Sequence, residues 1–187
     1  MKILAHFHFL LAGLGLVWPV GSGLAQVLES TEYAVKAAYL YNFALYAEWP
    51  ENDPVTTGDP VLICIAGKDP FGAAITEEFK TKQINNRPVH VLDLKPGQDP
   101  RICQVLFINE SSERRLMEIL ARVRGAPVLT VSDNKKFIDT GGMIGFVTVD
   151  EYVKFEVNQT AVENADLRLS SRMLQLAYRV INSDDLP

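Results

Sequence analysis

The chain has 187 residues, 18 of them basic and 23 acidic, for a formal net charge of −5 at neutral pH. That length is enough for one domain with a real hydrophobic core. An acidic balance without a basic run gives no electrostatic footprint for nucleic acid and no polybasic hold on anionic lipid.

The first residues set an address. Lys2 precedes the apolar run Ile3 to Val20, and Gly21-Ser22-Gly23-Leu24-Ala25 puts small residues before Gln26. This is the three-part pattern of a secretory signal peptide. An uncleaved anchor helix would need about 20 firmly apolar residues, and Gly13, Gly15 and Pro19 interrupt the run. Residues 1–25 are therefore expected to be removed and residues 26–187 to form the exported domain. Beyond the leader the sequence offers no spanning segment, internal repeat or low-complexity tract.

Ser30 and Thr31 open a first helix running from about Glu32 to Glu48. Val35, Ala38, Tyr39, Asn42, Phe43, Tyr46 and Trp49 recur at helical spacing. Ala37, Leu40, Tyr41, Ala44, Leu45 and Ala47 fill much of the other side. A helix apolar nearly all round is buried on more than one face. Two readings stay open: a helix sandwiched inside the monomer, or a face that meets a second protein chain. Tyr39, Phe43, Tyr46 and Trp49 form the candidate partner face, because aromatic side chains suit interface cores. Trp49-Pro50 ends the helix, and Asn52 to Asp59 reads as a loop.

From Val61 the pattern becomes strand, helix, strand. Val61 to Gly67 is an unbroken apolar strand, and Gly67 to Gly72 leads into a helix reaching about Gln83. Asp69 and Pro70 read as its N-cap and first residue. The loop has neither G-x-G-x-x-G spacing nor a Lys-Ser/Thr pair, so it does not read as a nucleotide loop. Arg87 to Asp93 is a second strand with proline at its start, and Cys103 to Ile108 a third. Ser112 caps a helix striped by Leu116, Ile119, Leu120 and Val123 and closed by Gly125. Arg114, Arg115, Arg122 and Arg124 read as its solvated face.

Pro127 to Asp133 is a fourth, β-branched strand. Gly141-Gly142 marks a sharp turn or a close backbone approach. Met143 to Val149 and Tyr152 to Val157 then read as a hairpin about Asp150-Glu151, adding antiparallel edge strands. Asn158 to Leu169 is irregular or loosely helical. Ser170 and Ser171 cap a last helix striped by Met173, Leu174, Ala177, Val180 and Ile181. The expected fold is a single α/β domain. Its mostly parallel sheet is flanked by helices, Rossmann-like and doubly wound, with a C-terminal antiparallel hairpin.

Little in this inventory does chemistry. His6 and His8 belong to the leader, and His90 sits between valines in a strand. No G-x-S-x-G elbow, zinc spacing or calcium loop is present. Asp133, Asp139, Asp150 and Glu151 read as caps and turn residues. Cys64 and Cys103, an even pair in an exported chain, read as one disulfide, with two buried free thiols as the alternative. The residues thus predict neither a catalytic set nor a cofactor or metal site. Function is expected through binding, either of a protein or of a small ligand. A ligand pocket would lie at the strand carboxyl ends near Gly67, Asp69 and Gly141-Gly142.

Several stretches together resemble the YfiR family of exported bacterial proteins. They are Val35 to Phe43 running to Trp49-Pro50, Ile63 to Gly72, Cys103 to Ile108, Pro127 to Asp133, Gly141 to Val147 and Leu169 to Leu174. The resemblance covers nearly the whole mature chain in the family's order. Gly145, where many relatives carry asparagine, is a small departure. The resemblance implies a periplasmic α/β domain, a homodimer in the best-described relatives. Its implied role is to restrain an inner-membrane diguanylate cyclase, or another membrane sensor protein, with effects on cyclic di-GMP and biofilm growth. It matches Cys64 and Cys103 to one cysteine pair of the family and implies a structural bond. The second, C-terminal pair of some relatives is absent here.

Overall fold

The computed structural model describes residues 22–50 and 59–182; residues 1–21 of the expected leader (1–25) and loop residues 52–58 lie outside that range. Helix α1 spans Ser22–Tyr46 and passes directly into a two-residue strand, β1 (Ala47–Glu48). Then come β2 (Val61–Gly67), α2 (Ala73–Phe79), β3 (Gln83–Ile84), β4 (Arg87–Leu94), β5 (Val105–Asn109), α3 (Glu113–Val123) and β6 (Leu129–Ser132). The last part holds β7 (Ile144–Val149), β8 (Tyr152–Asn158), α4 (Gln159–Glu163), β9 (Arg168–Leu169), α5 (Ser171–Leu176) and β10 (Arg179–Ile181).

Eight strands form one sheet in the order β10-β8-β7-β6-β5-β2-β4-β3. The five central members, β4, β2, β5, β6 and β7, run parallel. Strand alternation divides the interior into two cores, because successive side chains leave a strand on opposite faces. Ile63, Ile65, Val105 and Phe107 meet α1 and α2 on one side. Cys64, Ala66, Leu106 and Ile108 meet α3 on the other, with Phe137 from the crossover between β6 and β7. Burial on both faces explains the unbroken apolar run of β2 and the apolar, β-branched character of β5 and β6.

Several boundaries differ from the sequence reading. The first helix begins at Ser22 rather than near Glu32 and stops at Tyr46, and β1 pairs antiparallel with β9, Ala47 opposite Leu169. Asp69 is not the cap of the second helix. It accepts a hydrogen bond from the Phe71 amide at 2.8 Å and forms a turn, and α2 starts at Ala73 behind Gly72. Helix α2 is only seven residues long and ends at Phe79, because the chain must turn back into β3. Asn85 and Asn86, both at positive φ, make the tight turn between β3 and β4.

The expected hairpin strands pair antiparallel, from Ile144 opposite Val157 to Val149 opposite Tyr152. Asp150 and Glu151 take φ of +51° and +66°, the conformation of a two-residue turn matched to strand twist. These strands do not form the edge. The stretch read as the end of a last helix contains β10, which pairs in parallel outside β8, Val180 beside Val157. Helix α5 does start on its Ser170 cap, whose Oγ accepts from the Met173 amide at 3.3 Å. It ends at Leu176; Ala177 is extended, and the β-branched Val180-Ile181 pair suits a strand better than a helix.

Candidate functional site

Helix α1 settles where each aromatic residue points. Phe43 is 1 % exposed and stacks among Tyr39, Phe146 and Phe155 at centroid distances of 5.0 to 5.7 Å. Tyr39, Tyr46 and Trp49 are half-buried and pack against the same core. The Trp49 indole donates to the Pro127 carbonyl oxygen at 2.9 Å. Phe43 is thus a core residue, while Tyr39, Tyr46 and Trp49 pack inward and keep part of their surface exposed. The outward stripe of α1 is instead Val35, Ala38, Asn42 and Leu45, uncharged and exposed. Its two large apolar members, Val35 and Leu45, are 40 % and 37 % exposed.

The inward face of α1 also carries a charge. Lys36 is 4 % exposed. Its ammonium lies 2.6 Å from Glu32 Oε1 and 2.8 Å from Asp133 Oδ2. The Tyr33 hydroxyl donates to the same Asp133 oxygen at 2.9 Å, and the Tyr33 ring lies 4.4 Å from the ammonium. An isolated buried ammonium would be very costly; two carboxylates and a ring face compensate it. Asp133, at the carboxyl end of β6, thus fixes α1 to the sheet rather than merely turning the chain. The hint in the sequence was Lys36 itself, a lone cation amid an apolar helix face.

Cys64 and Cys103 form a disulfide, with Cα atoms 5.8 Å apart and both residues buried. Cys64 lies in mid-strand in β2, between Leu92 of β4 and Leu106 of β5. Cys103 directly follows a 3-10 turn, Pro100–Ile102. The bond ties the sheet centre to the entry of β5. In front of it, Asp99 accepts from the amide and guanidinium of Arg101. Those hydrogen bonds lower the Asp99 pKa to about 2.

The proposed ligand loops do not meet. Gly67 ends β2 at the carboxyl edge of the sheet, with Asp69 in the turn beyond it. Gly141 and Gly142 precede β7, which runs parallel to β6, so they lie at the opposite, amino edge. Gly67 and Gly142 each answer to a close approach. A Cβ on Gly67 would lie 2.1 Å from the Asn109 carbonyl oxygen, and one on Gly142 would lie 2.2 Å from the Phe137 ring. Asn109 locks that approach, since its amide donates to the Lys68 carbonyl at 2.7 Å. Beside Gly67 a cavity of about 610 Å³ opens toward α3. A smaller cavity of about 260 Å³ includes Gly141.

His90 is exposed on β4. Among the described residues no three His, Cys, Asp or Glu side chains group as a metal site would, and no helix is long and apolar enough to cross a membrane. Arg114, Arg115 and Arg122 on α3, and Arg124 directly after it, are exposed. Arg114 pairs with Glu118 at 3.1 Å and Arg115 with Glu110 at 3.6 Å.

Fold and surface together define a disulfide-tied, mixed α/β domain with a central, mostly parallel sheet flanked by helices. The model of the YfiR/HmsC-like family matches residues 33–178. The chain belongs to that family. The match begins within α1 and runs to the residue before β10, so it takes in both the Lys36 anchor and the disulfide.

Proposed function

We propose that this chain is an exported periplasmic regulator that restrains a membrane-bound diguanylate cyclase, or a related membrane sensor protein, by binding its periplasmic region, and that it works as a homodimer. Membership of the YfiR/HmsC-like family carries this reading. The leader-like start and the disulfide support it, since disulfides persist in oxidising compartments. Restraint needs only tighter binding to the inactive conformation of the partner. A preference of about 1–3 kcal/mol changes output several-fold to a hundred-fold.

The partner surface in this proposal is the outward stripe of α1, with half-buried Tyr39 and Tyr46 on its flank. The stripe is the uncharged, solvent-facing side of the helix, with Val35 and Leu45 its two large apolar members. The test is capture of the membrane partner from native envelopes by the wild type and by Val35→Asp/Leu45→Asp. Loss of the cyclase by the double variant is expected, with a melting temperature changed by no more than about 2–4 °C for surface positions. Recovery of the cyclase by the variant at wild-type yield would refute the assigned face. Recovery of no cyclase or sensor by the wild type would refute the function.

A second reading, a small-ligand sensor without a cyclase partner, draws on the cavity beside Gly67. The parallel order β4-β2-β5-β6-β7 supports a Rossmann-like, doubly wound description. Its strand order reverses between β2 and β5, where ligands enter such sheets.

A further inference from the structure

We infer that the cleft between α3 and the carboxyl ends of β2, β4 and β5 binds a small organic anion, a carboxylate or phosphate ester with a compact apolar body. The location comes first. The helix after β2 packs on one face of the sheet and the helix after β5 on the other. The two chain ends therefore part at Gly67 and Asn109, leaving a crevice at the strand carboxyl ends. The cavity there measures about 610 Å³, within the usual range for a small-molecule site of about 300–1,000 Å³. Leu94, Pro96, Pro100 and Ile119 contribute apolar lining.

Charge assigns the ligand class. Lys68, Lys95, Arg115 and Arg122 line the cleft with Asp93, Glu110 and Glu118. Each of these carboxylates is already engaged: Asp93 by Lys95, Glu110 by Arg115, and Glu118 by Arg114 from outside the lining. Among the described residues, no carboxylate lies within ion-pair distance of Lys68 or Arg122. Arg122 donates to the Gln98 carbonyl at 2.7 Å and acts on Asp99 only at longer range, while Asp99 is held by Arg101. A guanidinium with donors to spare suits a carboxylate or phosphate.

The root of Lys68 is fixed as well. Its amide donates to the Asn109 carbonyl at 3.3 Å, and its carbonyl accepts from the Asn109 side chain at 2.7 Å. The cation therefore projects from a backbone clamped on both sides rather than from a loose loop. On a chain of net charge −5, two cations without a carboxylate partner, beside the apolar part of a mixed lining, select anions against the field of the whole molecule.

The site lies across the sheet from α1, so ligand and protein partner can be tested separately. Phenyl phosphate, inorganic phosphate and benzyl alcohol are titrated into the purified chain, followed by calorimetry and by amide shifts. Saturable binding of phenyl phosphate is expected, with shifts centred on Gly67, Lys68, Gly97 and Ile119. Benzyl alcohol should not saturate. Lys68→Gln/Arg122→Gln should weaken phenyl phosphate at least tenfold, while the surface control Lys154→Gln leaves it unchanged. Absence of saturable binding, equal loss in the control, or no loss in the double variant would overturn the site. Equal affinity for inorganic phosphate would overturn the organic ligand class.

Discussion

Replacing Phe43 with alanine separates a core helix from a contact helix. Phe43 is 1 % exposed, and its ring lies 5.7 Å from Tyr39, 5.7 Å from Phe146 and 5.0 Å from Phe155. Removing a phenyl group from such a site costs about 3–5 kcal/mol, because transfer and cavity contributions add. A single domain of this size loses about 2–4 °C of melting temperature per kcal/mol. The expected fall is therefore about 6–20 °C, with the folded state still populated at room temperature if total stability lies in the common range of about 5–15 kcal/mol. Urea titration followed by circular dichroism gives the free energy directly. A displaced midpoint with an unchanged slope would place the loss in the folded core. The folded variant should still capture its partner at low temperature, since Phe43 does not reach the outward face. A loss below 1 kcal/mol together with lost partner binding would refute the inward placement.

Three other perturbations probe neighbouring features. Gly67→Ala sets a Cβ 2.1 Å from the Asn109 carbonyl oxygen at a φ of +97° and should cost about 2–4 kcal/mol by strain and overpacking. Gly141→Ala, at a similar φ but with no atom within 4 Å, should cost only about 1–2 kcal/mol; equal urea midpoints for the two would contradict the close approach. Cys64 and Cys103, 39 residues apart, close a loop whose release should cost about 4 kcal/mol in the chain-entropy picture. That loss would appear as a lower urea midpoint under reduction, and an unmoved midpoint in fully reduced protein would refute it. Asp99, lowered to about 2 by its hydrogen bonds to Arg101, contributes stability that is present above the unfolded carboxylate range and lost as pH falls toward 2. Arg101→Gln should return its carboxyl titration, followed by NMR, to the ordinary range.

Much of the architecture was legible because the central strands are buried on both faces. Val61 to Gly67 and Val105 to Ile108 can be unbroken apolar runs only if helices cover each side. The misreadings fall where local pattern and tertiary pairing compete. Val180 and Ile181 continue the helical stripe of Met173 and Leu174, yet the open edge of β8 captures them as a strand. Asp69-Pro70 has the chemistry of a helix start, but Gly72 intervenes and the helix begins later. The first helix was apolar nearly all round, so periodicity alone could not say which side faced in. Large aromatics favour both cores and interfaces, and only the sheet beneath decides. Gly67 and Gly141-Gly142 look alike in sequence and lie at opposite sheet edges, because β7 runs parallel to β6.

Lys36 gives the helix its orientation. A helix with apolar residues on nearly every side could rotate about its axis and still bury comparable area, because hydrophobic burial is not directional. The ammonium removes that freedom. It reaches Asp133 only when the face bearing Leu40, Phe43 and Ala44 lies against the sheet, and that rotation leaves Val35, Ala38, Asn42 and Leu45 outside. Buried ion pairs contribute little net stability against an apolar replacement and are best attested as devices that fix register. Here the register fixed is that of α1 over the carboxyl end of β6. The same contact that orients the core thereby sets which stripe of the helix stays exposed, the stripe assigned above to the proposed partner.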